Sequence, residues 1–196
     1  MEKWVVTAKK ADFQGIGRKY GIDPVIARVI RNRDITGDEA IEEYLNGTLA
    51  DIPSWKLLKD IDKAVEIISG KIDAGTKMRI IGDYDIDGVT ATYILLKGFK
   101  RLGANVDTYI PDRVADGYGI HDHLIKKAME DGIDTIVTCD NGISASSQIT
   151  YAKELGMTVV VTDHHEVPFT DTEEGRTYIL PPADAIINPK QADCTY

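Results

Sequence analysis

Apolar residues recur at helical spacing in three places early in the chain. Between Asp23 and Arg33 they fall at Val25, Ile26, Val29 and Ile30, with Pro24 suited to a first-turn position. Asp38 to Leu45 reads as a second short helix. Asp60 to Ala74 reads as a third, with Ile61, Ala64, Ile67 and Ile68 on one face. Asp51 to Leu58 reads as an irregular connection. Residues 1–75 are therefore expected to form a helical lead-in.

Further along, short apolar runs alternate with amphipathic stretches. Strands are predicted at Met78–Ile81, Val106–Ile110, Thr135–Thr138, Thr158–Thr162 and Ala185–Ile187. Helices are predicted at Val89–Leu102, His121–Met129 and Ser144–Leu155, closed by Gly103, Gly132 and Gly156. The first carries the face Val89, Tyr93, Leu96, Phe99. Single helices between strands mean right-handed crossovers and a parallel sheet. The expected fold is a doubly wound α/β domain over residues 76–196, preceded by the small helical segment.

Composition adds limits. A length of 196 residues suffices for one α/β domain with an appendage, and 43% hydrophobic residues is ordinary for a globular chain. No apolar run approaches a membrane span, and Met1-Glu2-Lys3-Trp4 lacks the apolar core of a signal peptide. Two cysteines, Cys139 and Cys194, cannot build a disulfide framework, so a reducing cytoplasm is expected.

A net charge of −9 argues against a nucleic-acid partner. Bound divalent metals would neutralise part of it. The charge is also uneven: residues 1–33 carry eight Lys or Arg against three acids, a net of +5, which leaves −14 for the rest. That segment, with Lys9, Lys10, Arg18, Lys19, Arg28, Arg31 and Arg33, is either a solvated helical face or a phosphate-contacting arm.

Three polar clusters each follow a predicted strand: Asp83-Tyr84-Asp85-Ile86-Asp87-Gly88, Asp140-Asn141-Gly142 and Asp163-His164-His165. In an open parallel sheet the carboxyl ends of the strands share one edge, where ligands bind. The clusters should therefore meet in space.

An extended backbone would point Asp83, Asp85 and Asp87 to one side, where they repel one another unless a cation sits among them. A calcium loop is excluded, because its twelfth position needs a Glu and Ile94 stands there. Asp140 alone would be an ordinary turn or cap residue. In Asp163-His164-His165 the carboxylate is placed to orient an imidazole.

Oxygen-rich ligation with some nitrogen suits Mn²⁺ or Mg²⁺ better than structural zinc. Two such metals bridged by a carboxylate would serve in-line phosphoryl displacement. No serine elbow, phosphate-binding lysine loop or dinucleotide glycine fingerprint is present. The reaction class expected is metal-assisted hydrolysis of a phosphate ester or anhydride.

At these residues the sequence resembles the DHH phosphoesterase superfamily, and within it the RecJ family of single-strand-specific 5′-to-3′ DNA exonucleases. The likeness runs from about Leu45 to the end. It includes Leu58 to Val65, Gly82 to Gly88, Leu102 to Val106, Ile110-Pro111-Asp112-Arg113, Asp116 to Gly119, Val161 to Glu166 and Ile187 to Lys190. Other branches cleave pyrophosphate, short oligonucleotides or cyclic dinucleotides, and many carry a His four residues before the first acid of an Asp-x-Asp pair. Here Ile81 holds that position, and Asp83 stands two residues before Asp85, as in the RecJ branch.

The resemblance implies that Asp85, Asp87, Asp140 and His164 are metal ligands, with Asp140 bridging and Asp83 supporting the first metal. It implies that Asp140, His164 and His165 are catalytic and that His165 meets the scissile phosphate or leaving group. Arg113, Asn141 and His165 are expected to contact substrate, although a surface ion pair is an equal reading for Arg113. Tyr118, between two glycines, either stacks on a base or anchors its loop.

Single-stranded DNA is the expected partner and repair and recombination the expected process, for a monomer without membrane attachment. The alternatives are a small-substrate DHH hydrolase and a non-catalytic binding protein of the same fold; the latter predicts eroded ligands, yet the acids and histidines of all three motifs are present. RecJ-like proteins continue to a fourth acidic motif and a second domain. The sequence stops at Cys194-Thr195-Tyr196, before both. An incomplete second metal site and weak or absent processive activity are therefore expected.

Overall fold

The computed structural model describes residue 3, residues 9–172 and residues 175–196. Met1, Glu2 and Trp4, named above for the start of the chain, lie outside the described residues. The chain divides into two compact units, Met1–Pro53 and Ser54–Tyr196.

The first unit holds α1 (Phe13–Tyr20), α2 (Pro24–Asn32) and α3 (Asp38–Asn46). Asp12 and Asp23 cap α1 and α2, each accepting a backbone N–H at 2.8 Å. The face of α2 differs from the one its apolar spacing suggested. Ala27 and Ile30 are buried, while Val25, Ile26 and Val29 are exposed. Three of the seven basic residues named in that segment are paired inside this unit: Lys9 and Arg31 with Asp34, and Lys19 with Asp38. Arg28 lies 4.7 Å from the Phe13 ring centre. The expected irregular connection at Asp51–Leu58 is built around two 3₁₀ turns, Leu49–Asp51 and Trp55–Leu57.

In the second unit the order is α4 (Ile61–Asp73), β1 (Lys77–Ile81), α5 (Ile86–Arg101), β2 (Asn105–Tyr109), α6 (Asp122–Glu130) and β3 (Thr135–Cys139). It continues through α7 (Ser146–Glu154), β4 (Thr158–Thr162), β5 (Phe169–Thr172), β6 (Gly175–Tyr178) and β7 (Ala185–Ile187). Grouping α4 with the lead-in was wrong: Ala64 on α4 is buried in the core beside Met78, Ile80 and Ala185, so α4 belongs with the sheet. The antiparallel pair β5–β6 was not anticipated; all its described residues are exposed, leaving no buried alternation to read.

Five parallel strands form the main sheet in the order β2-β1-β3-β4-β7. Neighbouring residues of each buried strand face opposite sides. Ile81, Ile136, Val159 and Val161 pack with residues of α6 and α7, such as Ile125 and Ile149. Ile80, Val137 and Val160 pack with Ala64 of α4 and Phe99 of α5. Helices on both faces make the sheet doubly wound, as the sequence led us to expect. The chain leaves β1 outward to β2 and then returns past β1 to β3. The carboxyl ends of β1 and β3 therefore flank the switch point where such sheets hold ligands.

Arg79 on β1 is buried, with its guanidinium bidentate to Asp107 at 2.7 and 2.8 Å and bonded to Asp131 at 3.0 Å. Removing the arginine leaves two carboxylates facing each other. Because each is about a third exposed, water offsets part of the cost seen for fully buried pairs. Arg79→Leu is expected to cost roughly 2 kcal/mol, or a drop in Tm of about 4–8 °C by calorimetry. An unchanged Tm would show that the triad contributes nothing.

Candidate metal centre

After β1 the chain turns through Gly82 and buried Asp83, and Asp85 becomes the N-cap of α5, accepting the Gly88 N–H at 3.0 Å. Asp87 therefore sits in the first helical turn. The three acids do not share an extended strand; a cap and a helical turn bring them round instead. Gly88 makes this possible, since a Cβ there would fall 2.7 Å from both Asp83 Cβ and Asp83 O. The buried stripe of α5 consequently runs Gly88, Thr92, Phe99, while Val89 and Tyr93, placed on the core face by sequence, are exposed.

At the end of β3, Asp140 adopts φ +61°, a left-handed conformation that aspartate tolerates better than most residues. The Thr138 hydroxyl donates to the Asn141 carbonyl at 2.7 Å and closes the turn. Asn141 is fully buried, and its amide donates to Ile81 O at 3.2 Å and Cys139 O at 3.0 Å. It is a strut between β1 and β3 and exposes no surface to a substrate, contrary to the contact expected of it.

Beyond β4, Asp163 accepts from His164 N at 2.7 Å, His165 N at 3.1 Å and His165 Nδ1 at 2.7 Å through one oxygen. Its other oxygen accepts from Ile143 N at 2.9 Å. Buried Asn188 adds a bond from its amide to the His165 carbonyl at 3.0 Å. The orientation of His165 is thus fixed from both sides.

The three clusters meet. One atom each of Asp83, Asp85 and Asp140 lies within 4.8 Å of the others, and so does one each of Asp140, His164 and His165. His164 Nε2 is 2.7 Å from Asp140 Oδ1 and 3.8 Å from Asp87 Oδ2. The shorter contact is an ion pair without hydrogen-bond alignment, so neither buried Asp140 oxygen has an aligned hydrogen-bond donor. One oxygen of Asp83 is in the same state. Buried carboxylate oxygens without donors are costly unless a cation satisfies them. Oxygens joined by one or two imidazole nitrogens fit Mn²⁺ or Mg²⁺.

The electrostatics agree. Burial raises the pKa of Asp83, and burial with repulsion from Asp87 raises that of Asp140. Asp85 is lowered by the Gly88 N–H it accepts. Burial opposes charge on His165, yet its hydrogen bond to Asp163 and the nearby carboxylates outweigh it and leave the pKa raised.

A cleft of about 440 Å³ at the centre is lined by Asp87, Asp140 and His164 together with the apolar Ala91, Ile187 and Pro189. Arg113 lies outside this gathering. Its guanidinium sits 5.1 Å from the Tyr84 ring centre and makes no ion pair among the described residues. Two residues were undervalued by sequence. Tyr118 places its hydroxyl 3.2 Å from His165 Nδ1 and 3.4 Å from Asp140 O, and its glycine neighbours were the signal available. Asn188 had no local signal beyond the Asn-Pro turn.

The model of the DHH family, N-terminal domain, matches residues 77–195, more than half of the chain and all three clusters. The chain belongs to the DHH family. Among its DHH relatives, the single-stranded-DNA-specific exonuclease RecJ of Escherichia coli (strain K12) is 36% identical over 176 residues, covering 89% of this chain and 28% of that protein. The protein of the same name from Bacillus subtilis (strain 168) is 35% identical over 195 residues, covering 99% of this chain and 24% of that protein. The chain thus spans about a quarter of the length of these curated relatives. The crystal structure of exonuclease RecJ bound to manganese superposes with a TM-score of 0.63 at 32% identity, covering 76% of this chain and 35% of that one.

Proposed function

We propose that this chain carries the catalytic centre of a metal-dependent phosphodiesterase that digests single-stranded DNA from the 5′ end. The observation behind this reading is the buried, donor-free pair of Asp140 oxygens, shared by two groups of potential ligands at the sheet's switch point. The relatives' names supply the substrate, and the manganese-bound relative supports the choice of cation.

Asp83, Asp85, Asp87, Asp140 and His164 would hold one Mn²⁺ or Mg²⁺ ion and part of the shell of a second, which the fourth acidic motif of RecJ-like proteins would complete. Such ions, when bound, acidify a water and offset the charge of an in-line displacement at phosphorus. Asp163 keeps the Nδ1 proton of His165 in place, and the raised pKa favours the imidazolium. His165 then donates from Nε2 to a phosphate oxygen or the leaving group. Arg113, loosely held over Tyr84, is free to swing onto a backbone phosphate.

The net charge of −9 is no obstacle once cations occupy the acids. No helix among the described residues is long and apolar enough to cross a membrane. A monomer working in cytoplasmic DNA repair and recombination follows from the family resemblance.

The test is release of mononucleotides from a 5′-labelled single strand in Mn²⁺, with duplex DNA and a dinucleotide alongside. Single-strand cleavage that disappears with chelator and in His164→Ala supports the proposal. Cleavage of the dinucleotide alone would replace it with the small-substrate reading, and Mn²⁺ binding without cleavage, even by a version extended through the fourth acidic motif and second domain, would favour a binding protein.

A further inference from the structure

A second cleft, of about 230 Å³, shares Asp163 with the larger one and is otherwise separate from it. Tyr118, His121, Ser144 and Gln148 line it. The Tyr118 hydroxyl, within 3.4 Å of His165 and of the Asp140 carbonyl, sets this cleft directly beside the metal centre.

The walls are braced. The His121 ring lies nearly parallel to that of His123, at 18° with centres 5.9 Å apart, and His123 Nε2 is bonded to Asp116 at 2.9 Å. His121 Nε2 is buried and has no hydrogen-bond partner. Gln148 accepts the Ser147 hydroxyl at 2.9 Å through its carbonyl oxygen, which leaves its NH₂ group free to donate. Asp163 has both oxygens occupied by four donors, so no free carboxylate faces the space.

The volume falls below the roughly 300–1,000 Å³ of drug-sized sites, so a single planar ring system is the natural occupant. Aromatic side walls with hydrogen-bond donors at the rim are how proteins hold an unstacked base. Tyr118, Ser144 and Gln148 can each donate, and every base offers a ring nitrogen or carbonyl oxygen that accepts, so little sequence preference follows.

We infer that this cleft is a nucleobase subsite, receiving the base of the nucleotide whose phosphate lies at the metal centre. The inference rests on the phosphodiesterase reading and sharpens it. A base enters such a cleft only when it is unpaired, so selection for single strands is built into this unit beside the acids.

The test compares deoxyadenosine 5′-monophosphate with deoxyribose 5-phosphate on the Mg²⁺-loaded chain, followed by amide chemical shifts. Both probes should move the resonances of Asp140 and His164. Only the base-bearing one should move Gly119, Ser144 and the Gln148 side chain, and it should bind about tenfold more tightly. Ser144→Trp, at an exposed position, should fill the cleft and reduce that ratio to about one, with Gln148→Ala giving a partial loss. Equal affinities with silent cleft resonances would remove the subsite and leave the phosphodiesterase reading intact. No response to either probe at the metal centre would overturn both.

Discussion

Asp140→Asn is expected to abolish both the Mn²⁺-dependent stabilisation and the hydrolysis while leaving the fold intact. Asp140 is the residue common to both potential ligand groups, and neither of its buried oxygens has a donor. In the metal-free protein, burial and Asp87 raise its pKa, so the folded state binds its proton more tightly than the unfolded chain does. Stability is therefore lost as pH rises from the ordinary carboxylate value through the raised one. The metal-free variant escapes that loss, so above this window it should melt no lower than the wild type. Mn²⁺ at a hundred times its dissociation constant should add about 2.7 kcal/mol to the wild type, or roughly 5–10 °C in Tm. The variant should show no such shift, and its hydrolysis should fall at least about a hundredfold. Asn is chosen over Ala because the φ of +61° suits it. Melting curves at pH 8 with and without Mn²⁺ give the answer; a variant that keeps the wild-type shift would remove Asp140 from the centre.

The sheet and the site were legible for the same reason. Each buried strand is a short apolar run, and the residues just past its carboxyl end are polar because they face a shared cleft. Asp83, Asp140 and Asp163 could be placed from that regularity alone. What escaped was geometry that depends on neighbours. Asp87 was given an extended backbone with Asp83 and Asp85 because alternation looks the same whether the chain is extended or turning into a helix. The side of α5 that packs was misjudged because Gly88 and Thr92, which lack bulk, are the residues that approach the sheet. Helix α1, with Gly15 and Gly17 inside it, depends on its Asp12 cap and on packing against α2 rather than on propensity. Asn141 was expected to contact substrate. Only the structure shows its amide occupied by two strand carbonyls.

Asp163→Asn should have the largest effect on stability among the residues of the site. The Asp163 side chain is buried and accepts four hydrogen bonds, tying the end of β4 to Ile143 in the turn after β3 and to the ring of His165. An amide keeps one acceptor oxygen and turns its NH₂ toward N–H groups that need acceptors. Leaving one or two buried donors unmatched costs about 3 kcal/mol, or a loss of roughly 6–12 °C in Tm. A pH dependence follows. The folded His165 has its pKa raised, so its contribution is fully present below the ordinary histidine value and is lost as pH rises through the raised one. The gap between wild type and variant should therefore be wider at pH 5.5 than at pH 9, without closing, because the backbone donors stay unmatched at both. In the wild type, the same hydrogen bond holds the His165 ring in one orientation, as the proposed proton donation requires. The variant should accordingly lose rate even at temperatures where it is fully folded. Equal melting temperatures across that range would mean that Asp163 neither charges nor positions His165.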